Sequence, residues 1–364
     1  MWVDMFSRRR ALLIAGIASV LYIRGLPIQV IYVLWPVLLF LSLQFIFSHK
    51  INIRIQGLFV FLLLYIFVSA ALQIYLGAHS GSVLNFSLSW SMLIVGFCLS
   101  YGLSFDSIDS IFSRIGWFSV FYALLDAVWR FLHPDLSQIF DGNALFYRFK
   151  SNSLMFEDSN FVGVMLVCVN SMLLVICELK NKKNIYLLGM LFMAIILTFS
   201  RASIMAALFT YGVMFFYNSR RSIKFFTLIS GVMLSFYFFS LLYADGSFRS
   251  KFYIIDSFES VFYTFDFIRK LIGVGLGNTF EFLGIGAHSI VVVGFFELGA
   301  FCFLIYLLIV LLLISLCGIS QVYLFVPYLL NGFSLTSTSV PILFLSSGVV
   351  LSIYYGKKRA SSER

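Results

Sequence analysis

Arg201, Arg249 and His288 are the residues of this chain best suited to carry chemistry. Arg201 stands in Leu197-Thr198-Phe199-Ser200-Arg201-Ala202-Ser203, between apolar stretches at about 185–199 and 203–217. A guanidinium at the rim of a lipid-embedded bundle is expensive unless a partner or a ligand takes its charge. Arginine presents a planar fork that grips phosphate oxygens in pairs and stays charged at any relevant pH. Two such forks converging on one cleft would neutralise a diphosphate and stabilise the charge that develops as it leaves. A neutral histidine can take a proton from an attacking hydroxyl near physiological pH. His288, in Ala287-His288-Ser289, opens an apolar run, and structural and catalytic roles weigh about equally for it. No carboxylate cage of the magnesium type and no His or Cys spacing of the zinc type occurs, so neither metal nor cofactor is expected.

Two polar segments add candidates. The first ends Arg148-Phe149-Lys150-Ser151-Asn152-Ser153-Leu154-Met155-Phe156-Glu157-Asp158-Ser159-Asn160. Asp158 or Ser159 could cap the helix that follows, while Arg148, Glu157 and Asn160 are candidate substrate contacts. The second runs through Arg249, Asp256, Glu259 and Asp266 to Arg269-Lys270-Leu271-Ile272-Gly273-Val274-Gly275-Leu276-Gly277-Asn278, with Arg269 a further candidate contact. This GxGxG spacing is not a dinucleotide fingerprint, because no βαβ unit can surround it. A tight turn on the outer surface is favoured over direct phosphate contact. Asp126 and Arg130, four residues apart, can pair on one helix face.

The elements that must hold these residues are membrane helices. The chain has 364 residues, 61% hydrophobic and 11% charged, with mean hydropathy +0.99. Soluble domains carry roughly 25% charge, so a soluble enzyme is excluded. Twelve spans are expected, at about 11–23, 29–48, 56–76, 84–103, 111–132, 160–178, 185–199, 203–217, 223–243, 289–316, 319–333 and 340–355. The first is expected to stay as a helix, since Met1 to Arg10 carries no cleavage site. With the amino terminus inside, 16 of the 25 basic residues and only 5 of the 16 acidic ones are cytoplasmic. The net charge of +9 therefore reads as membrane orientation, not nucleic-acid binding. Both termini are placed in the cytoplasm, and the two long polar loops, about 133–159 and 244–288, on the far side. Cys98, Cys168, Cys177, Cys302 and Cys317 all fall in apolar runs and are expected to be buried thiols. The chain reads as one all-α transmembrane domain over residues 1–364.

In order along the chain, Arg148 to Asn160, Ser200-Arg201 with Ala202 and Ser203, Arg249 ahead of the Gly273 turn, and His288 with Glu297 and Gly299 resemble the motifs of the O-antigen polymerase and ligase superfamily. The resemblance implies a GT-C-like bundle of about twelve helices in the bacterial inner membrane, active at its periplasmic face on undecaprenyl-diphosphate-linked glycans. It implies diphosphate binding by Arg201 and Arg249 and a base or acceptor-positioning role for His288. A polymerase of lipid-linked repeat units is the preferred reading. A ligase transferring the glycan to lipid A–core is the alternative within the family, and a lipid-linked-oligosaccharide flippase the alternative outside it. Charge gathered at one rim favours an interfacial enzyme over a through-path. The family also implies membrane lipid as surroundings, with a chain-length-regulating co-polymerase and a flippase as partners.

Overall fold

Lipid offers no hydrogen bonds to a peptide group, so a chain this apolar must close its backbone bonds within helices. The computed structural model describes residues 2–49, 51–135, 148–180, 184–218, 246–286, 289–333 and 340–362, without the side chains of 2–6, 218, 246–251 and 357–362. Its helices are α1 (Trp2–Val20), α2 (Val30–Ser48), α3 (Ile53–Tyr75), α4 (Ser80–Ser100), α5 (Phe105–Leu132), α6 (Ser159–Lys180) and α7 (Ile185–Leu197). They continue as α8 (Arg201–Asn218), α9 (Gly246–Thr264), α10 (Phe267–Ile272), α11 (Thr279–Leu283), α12 (Ile290–Cys317), α13 (Ile319–Gly332) and α14 (Pro341–Ser362). Only one isolated β-bridge, Ser151 with Asp158, interrupts the helical pattern among the described residues. The molecule is a helical membrane protein. Six helices (α2 to α6 and α12) are long and apolar enough to cross a bilayer, and α7, α8 and α14 hold shorter apolar stretches. Helices overlie every expected span except 223–243, which lies outside the described residues.

Hydrogen bonds and ion pairs gather the helix ends into two groups. At one, Arg8 donates to the Tyr101 carbonyl at 2.8 Å, the Asn52 N–H to the Tyr355 hydroxyl at 3.0 Å, and Lys180 bridges Asp106 and Asp109. At the other, the Arg24 N–H meets the Leu154 carbonyl at 2.7 Å, the His79 N–H meets the Leu276 carbonyl at 2.9 Å, and Arg130 reaches Leu197 at 3.0 Å. These are called here the Arg8 end and the Arg201 end. Both polar loops belong to the second.

The core forms around α4 and α6, which are buried over most of their circumference. Helix α4 packs hardest on α14, and glycine makes this possible. A Cβ on Gly96 would lie 2.2 Å from the Leu345 carbonyl oxygen, and one on Gly348 would lie 2.0 Å from that of Leu93. Small residues let membrane helices approach backbone to backbone, where dispersion replaces the absent hydrophobic drive. A smaller apolar cluster, Ile254, Val274, Val292 and Phe296, fastens α9 to the Arg201 end. The start of the second polar loop is thus helix α9, packed on the bundle.

Candidate functional site

The Arg201 end is organised by one buried ion pair. Asp126 and Arg130, on successive turns of α5, are 0% and 1% exposed, so neither charge is solvated. The Arg130 Nε donates to Asp126 Oδ2 at 2.8 Å. Its two terminal nitrogens donate to the carbonyls of Phe149 and Leu197. Asp126 Oδ1 accepts from Ser153 Oγ at 2.6 Å and from the Leu154 N–H at 2.7 Å. A buried pair is tolerable only when its remaining polar atoms are also satisfied, and here the loop and the end of α7 satisfy them. The pairing expected from four-residue spacing is present, and it serves to clasp three elements.

The described part of the first polar loop, from residue 148 onward, is consequently folded. The Ser159 N–H bonds the Lys150 carbonyl at 2.9 Å, and Asn152 adopts the left-handed backbone at φ +62°, which asparagine tolerates. Asp158, one of two cap candidates, accepts from the Asn160 N–H at 2.8 Å and from its side-chain amide at 2.7 Å. Ser159 instead donates to the Thr198 carbonyl at 2.7 Å. Asn160 is therefore engaged with its own helix start, Glu157 is exposed, and Arg148 is half-buried.

Arg201 is the first residue of α8, two positions ahead of the span expected at 203–217. Thr198 and Ser200 explain the early start. The Ser200 N–H bonds Thr198 Oγ1 at 3.2 Å, and Ser200 Oγ accepts from the Ser203 N–H at 3.4 Å, as an N-cap does. Ser203 Oγ donates onward to Ser200 and accepts from the Asn331 amide at 2.9 Å, tying α8 to α13. The exposed guanidinium thus sits at a helix N-terminus, where the dipole disfavours a cation and favours an anion. Arg249 lies in α9, and its side chain is outside the described residues, as is all of His288.

The glycine turn is buried, not on the surface as its composition suggests. Gly273 and Gly299 face each other backbone to backbone. A Cβ on Gly273 would fall 2.4 Å from the Glu297 carbonyl oxygen, and one on Gly299 would fall 2.3 Å from the Ile272 carbonyl carbon. Both have positive φ, +83° and +78°, so glycine is required on two counts. The Val274 and Gly275 N–H groups bond the carbonyls of Phe296 and Glu297, in the π-helical turn Val293–Leu298 of α12. The Glu297 carboxylate, 7% exposed, accepts from Thr279 Oγ1 and from its N–H. The turn's neighbouring donors are therefore spent on the chain's own carboxylate. Arg269 stacks over Phe265 and Phe282 at 5.2 and 4.9 Å, on the outside of this unit.

Gln73, unremarked in the sequence, ties this unit to α3: its amide oxygen accepts the Leu276 N–H at 2.6 Å. A lone glutamine in Leu72-Gln73-Ile74 is the signal that could have found it, since a polar group inside a span needs a partner. Two cavities open at the same end. One of about 600 Å³ touches Arg24, Trp129 and His133, and one of about 410 Å³ lies among Tyr22, Asn85 and Phe161. No cluster of three His, Cys, Asp or Glu side chains that could hold a metal occurs among the described residues. The five cysteines are buried free thiols, as expected. Chemically, the described part of this end offers fixed cations to an anion, with a polar loop wall beside them. Set against known protein families, characterised proteins and solved structures, the chain matches none of them.

Proposed function

We propose that the protein is a membrane glycosyltransferase that polymerises undecaprenyl-diphosphate-linked repeat units at the outer face of the bacterial inner membrane. The observation that carries this reading is the gathering, at one bundle end, of Arg201 at a helix start, the helix bearing Arg249, and the folded 148–160 segment. The clustering of basic residues toward the Arg8 end supports an orientation with both termini cytoplasmic. In the reaction, a sugar hydroxyl of the incoming repeat attacks the anomeric carbon of the growing chain. The bond from that carbon to the diphosphate oxygen breaks, and the diphosphate leaves with the electron pair. Arg201 and Arg249 stabilise its charge, and His288 accepts the hydroxyl proton. Arg148, Glu157, Asn160 and Arg269 are the further residues assigned to contacts with the glycan.

The test is the surface-polysaccharide profile of cells whose native copy carries Arg201→Ala or Arg249→Ala, with membrane expression matched. Long ladders are expected to vanish while a single repeat unit remains attached to core. Loss of every attached unit, with lipid-linked polymer accumulating, would make the protein the ligase. Undecaprenyl-linked repeats trapped on the cytoplasmic face would make it the flippase, and unchanged ladders in both strains would remove the diphosphate site.

A further inference from the structure

The 600 Å³ cavity has no part in the site just proposed: neither Arg201 nor Arg269 lines it. Its size is within the range of about 300–1,000 Å³ typical of small-ligand pockets. Arg24, in the turn between α1 and α2, contributes one wall, the last turns of α5 another with Trp129 and His133, and Asn152 a third. Three observations show what it would take.

The first is charge. The Arg24 backbone is anchored by its bond to Leu154, yet its exposed guanidinium makes no hydrogen bond or ion pair among the described residues. The ion pair beneath, Asp126 with Arg130, is closed on itself and on the loop, so its carboxylate is not turned to Arg24. The second is the wall chemistry. Trp129 is 40% exposed, and His133 stacks on it with ring centroids 3.8 Å apart. Beside it the Asn152 amide nitrogen donates to the His133 carbonyl at 3.4 Å, and its amide oxygen makes no hydrogen bond among the described residues. An aromatic surface beside a free amide oxygen suits a sugar, which has apolar C–H faces and hydroxyl edges. The third is the approach. Phe121, Leu125, Val128 and Leu132, spaced by four, three and four residues, form an exposed apolar stripe along α5. That stripe runs along α5 to the helix end at which Trp129 and His133 line the cavity, and would carry a lipid chain.

We infer that this cavity is a second lipid-phosphate site, which holds the headgroup of a polyprenyl-diphosphate saccharide with its chain along α5. Arg24 takes the phosphate, and Trp129 with Asn152 the first sugar. Resting on the transfer reading above, it is the place of the acceptor lipid, while Arg201 and Arg249 hold the donor. An anionic phospholipid presents the same phosphate without the sugar.

Native mass spectrometry of the purified full-length protein, released from phosphatidylcholine nanodiscs, tests this with farnesyl-diphosphate-linked N-acetylglucosamine as the probe. The wild-type protein is expected to bind two probe molecules. Arg24→Gln is expected to bind one, with affinity for the second reduced about tenfold or more. Asn152→Gly keeps the left-handed backbone, so the loop stays folded while the amide is removed, and it is expected to weaken the same event. The Arg201→Ala/Arg249→Ala double variant is expected to keep the event that depends on Arg24. Two molecules bound with unchanged affinity in both Arg24→Gln and Asn152→Gly would overturn the inference, as would displacement of the Arg24-dependent molecule by equimolar phosphatidylglycerol. If Arg24→Gln loses a probe and the double variant loses none, this site stands and the donor assignment fails.

Discussion

Asp126 and Arg130 stand on successive turns of one helix, yet they hold the Arg201 end together by bonding Ser153, Leu154, Phe149 and Leu197. Removing one partner strands a buried charge, which typically costs about 3–5 kcal/mol. Asp126→Ala is therefore expected to lower the thermal midpoint of the detergent-solubilised protein sharply. The double variant Asp126→Leu/Arg130→Met, which buries no charge, should lose distinctly less, and equal losses would show that the pair does not act as a unit. Glu297 invites a parallel test. Glu297→Gln retains an acceptor for Thr279, whereas Glu297→Ala leaves buried donors without one, a cost of about 1–3 kcal/mol. Protease cleavage within 273–279 is expected to rise in the alanine variant and to stay low in the glutamine variant.

At the scale of elements, α4 and α14 touch through glycine, and the contact has no slack. Gly96→Ala would drive a methyl group into the Leu345 carbonyl, and overpacking of this kind typically costs about 1–3 kcal/mol. Gly57, in α3, has nothing within 4 Å of a built Cβ, so Gly57→Ala serves as a helical control that is expected to hold stability or raise it slightly. Comparable melting of the two variants in thermal unfolding would contradict the close packing of α4 on α14. The second helix with a decisive local feature is α12, whose π turn and Gly299 break re-aim the chain so that Glu297 turns toward Thr279. A regular α-helix through 293–299 would carry that carboxylate elsewhere.

For the whole molecule, the prediction concerns sidedness. In the proposed orientation, which rests on charge asymmetry, the Arg8 end faces the cytoplasm and the Arg201 end the outside. Glu157→Cys, at an exposed position of the Arg201 end, is expected to react with a membrane-impermeant maleimide in intact spheroplasts. Ser104→Cys, exposed at the Arg8 end, should react only after permeabilisation. The five native cysteines are buried and should contribute little background. The opposite labelling pattern would invert the molecule and take the proposed function with it.

Helix class and the approximate positions of the apolar helices were legible in the sequence, because lipid imposes apolar runs of a fixed minimal length on any helix that crosses it. The Asp126–Arg130 pair was legible too, since its geometry is local to one helix face. So was the need for glycine at 273, 275 and 277, though its reason was not. What the tertiary structure decided is who meets whom across long sequence separations. The glycine turn is buried because Glu297, Gln73 and Ala78 come to it from α12, α3 and the turn after α3, and no local pattern encodes that meeting. Asn160 bonds Asp158, because a helix start must first satisfy its own N–H groups. The Arg24 cavity was equally hidden: Arg24 is more than a hundred residues from Trp129 and Asn152, and only the closing of the ion-pair clasp brings their segments around one cavity.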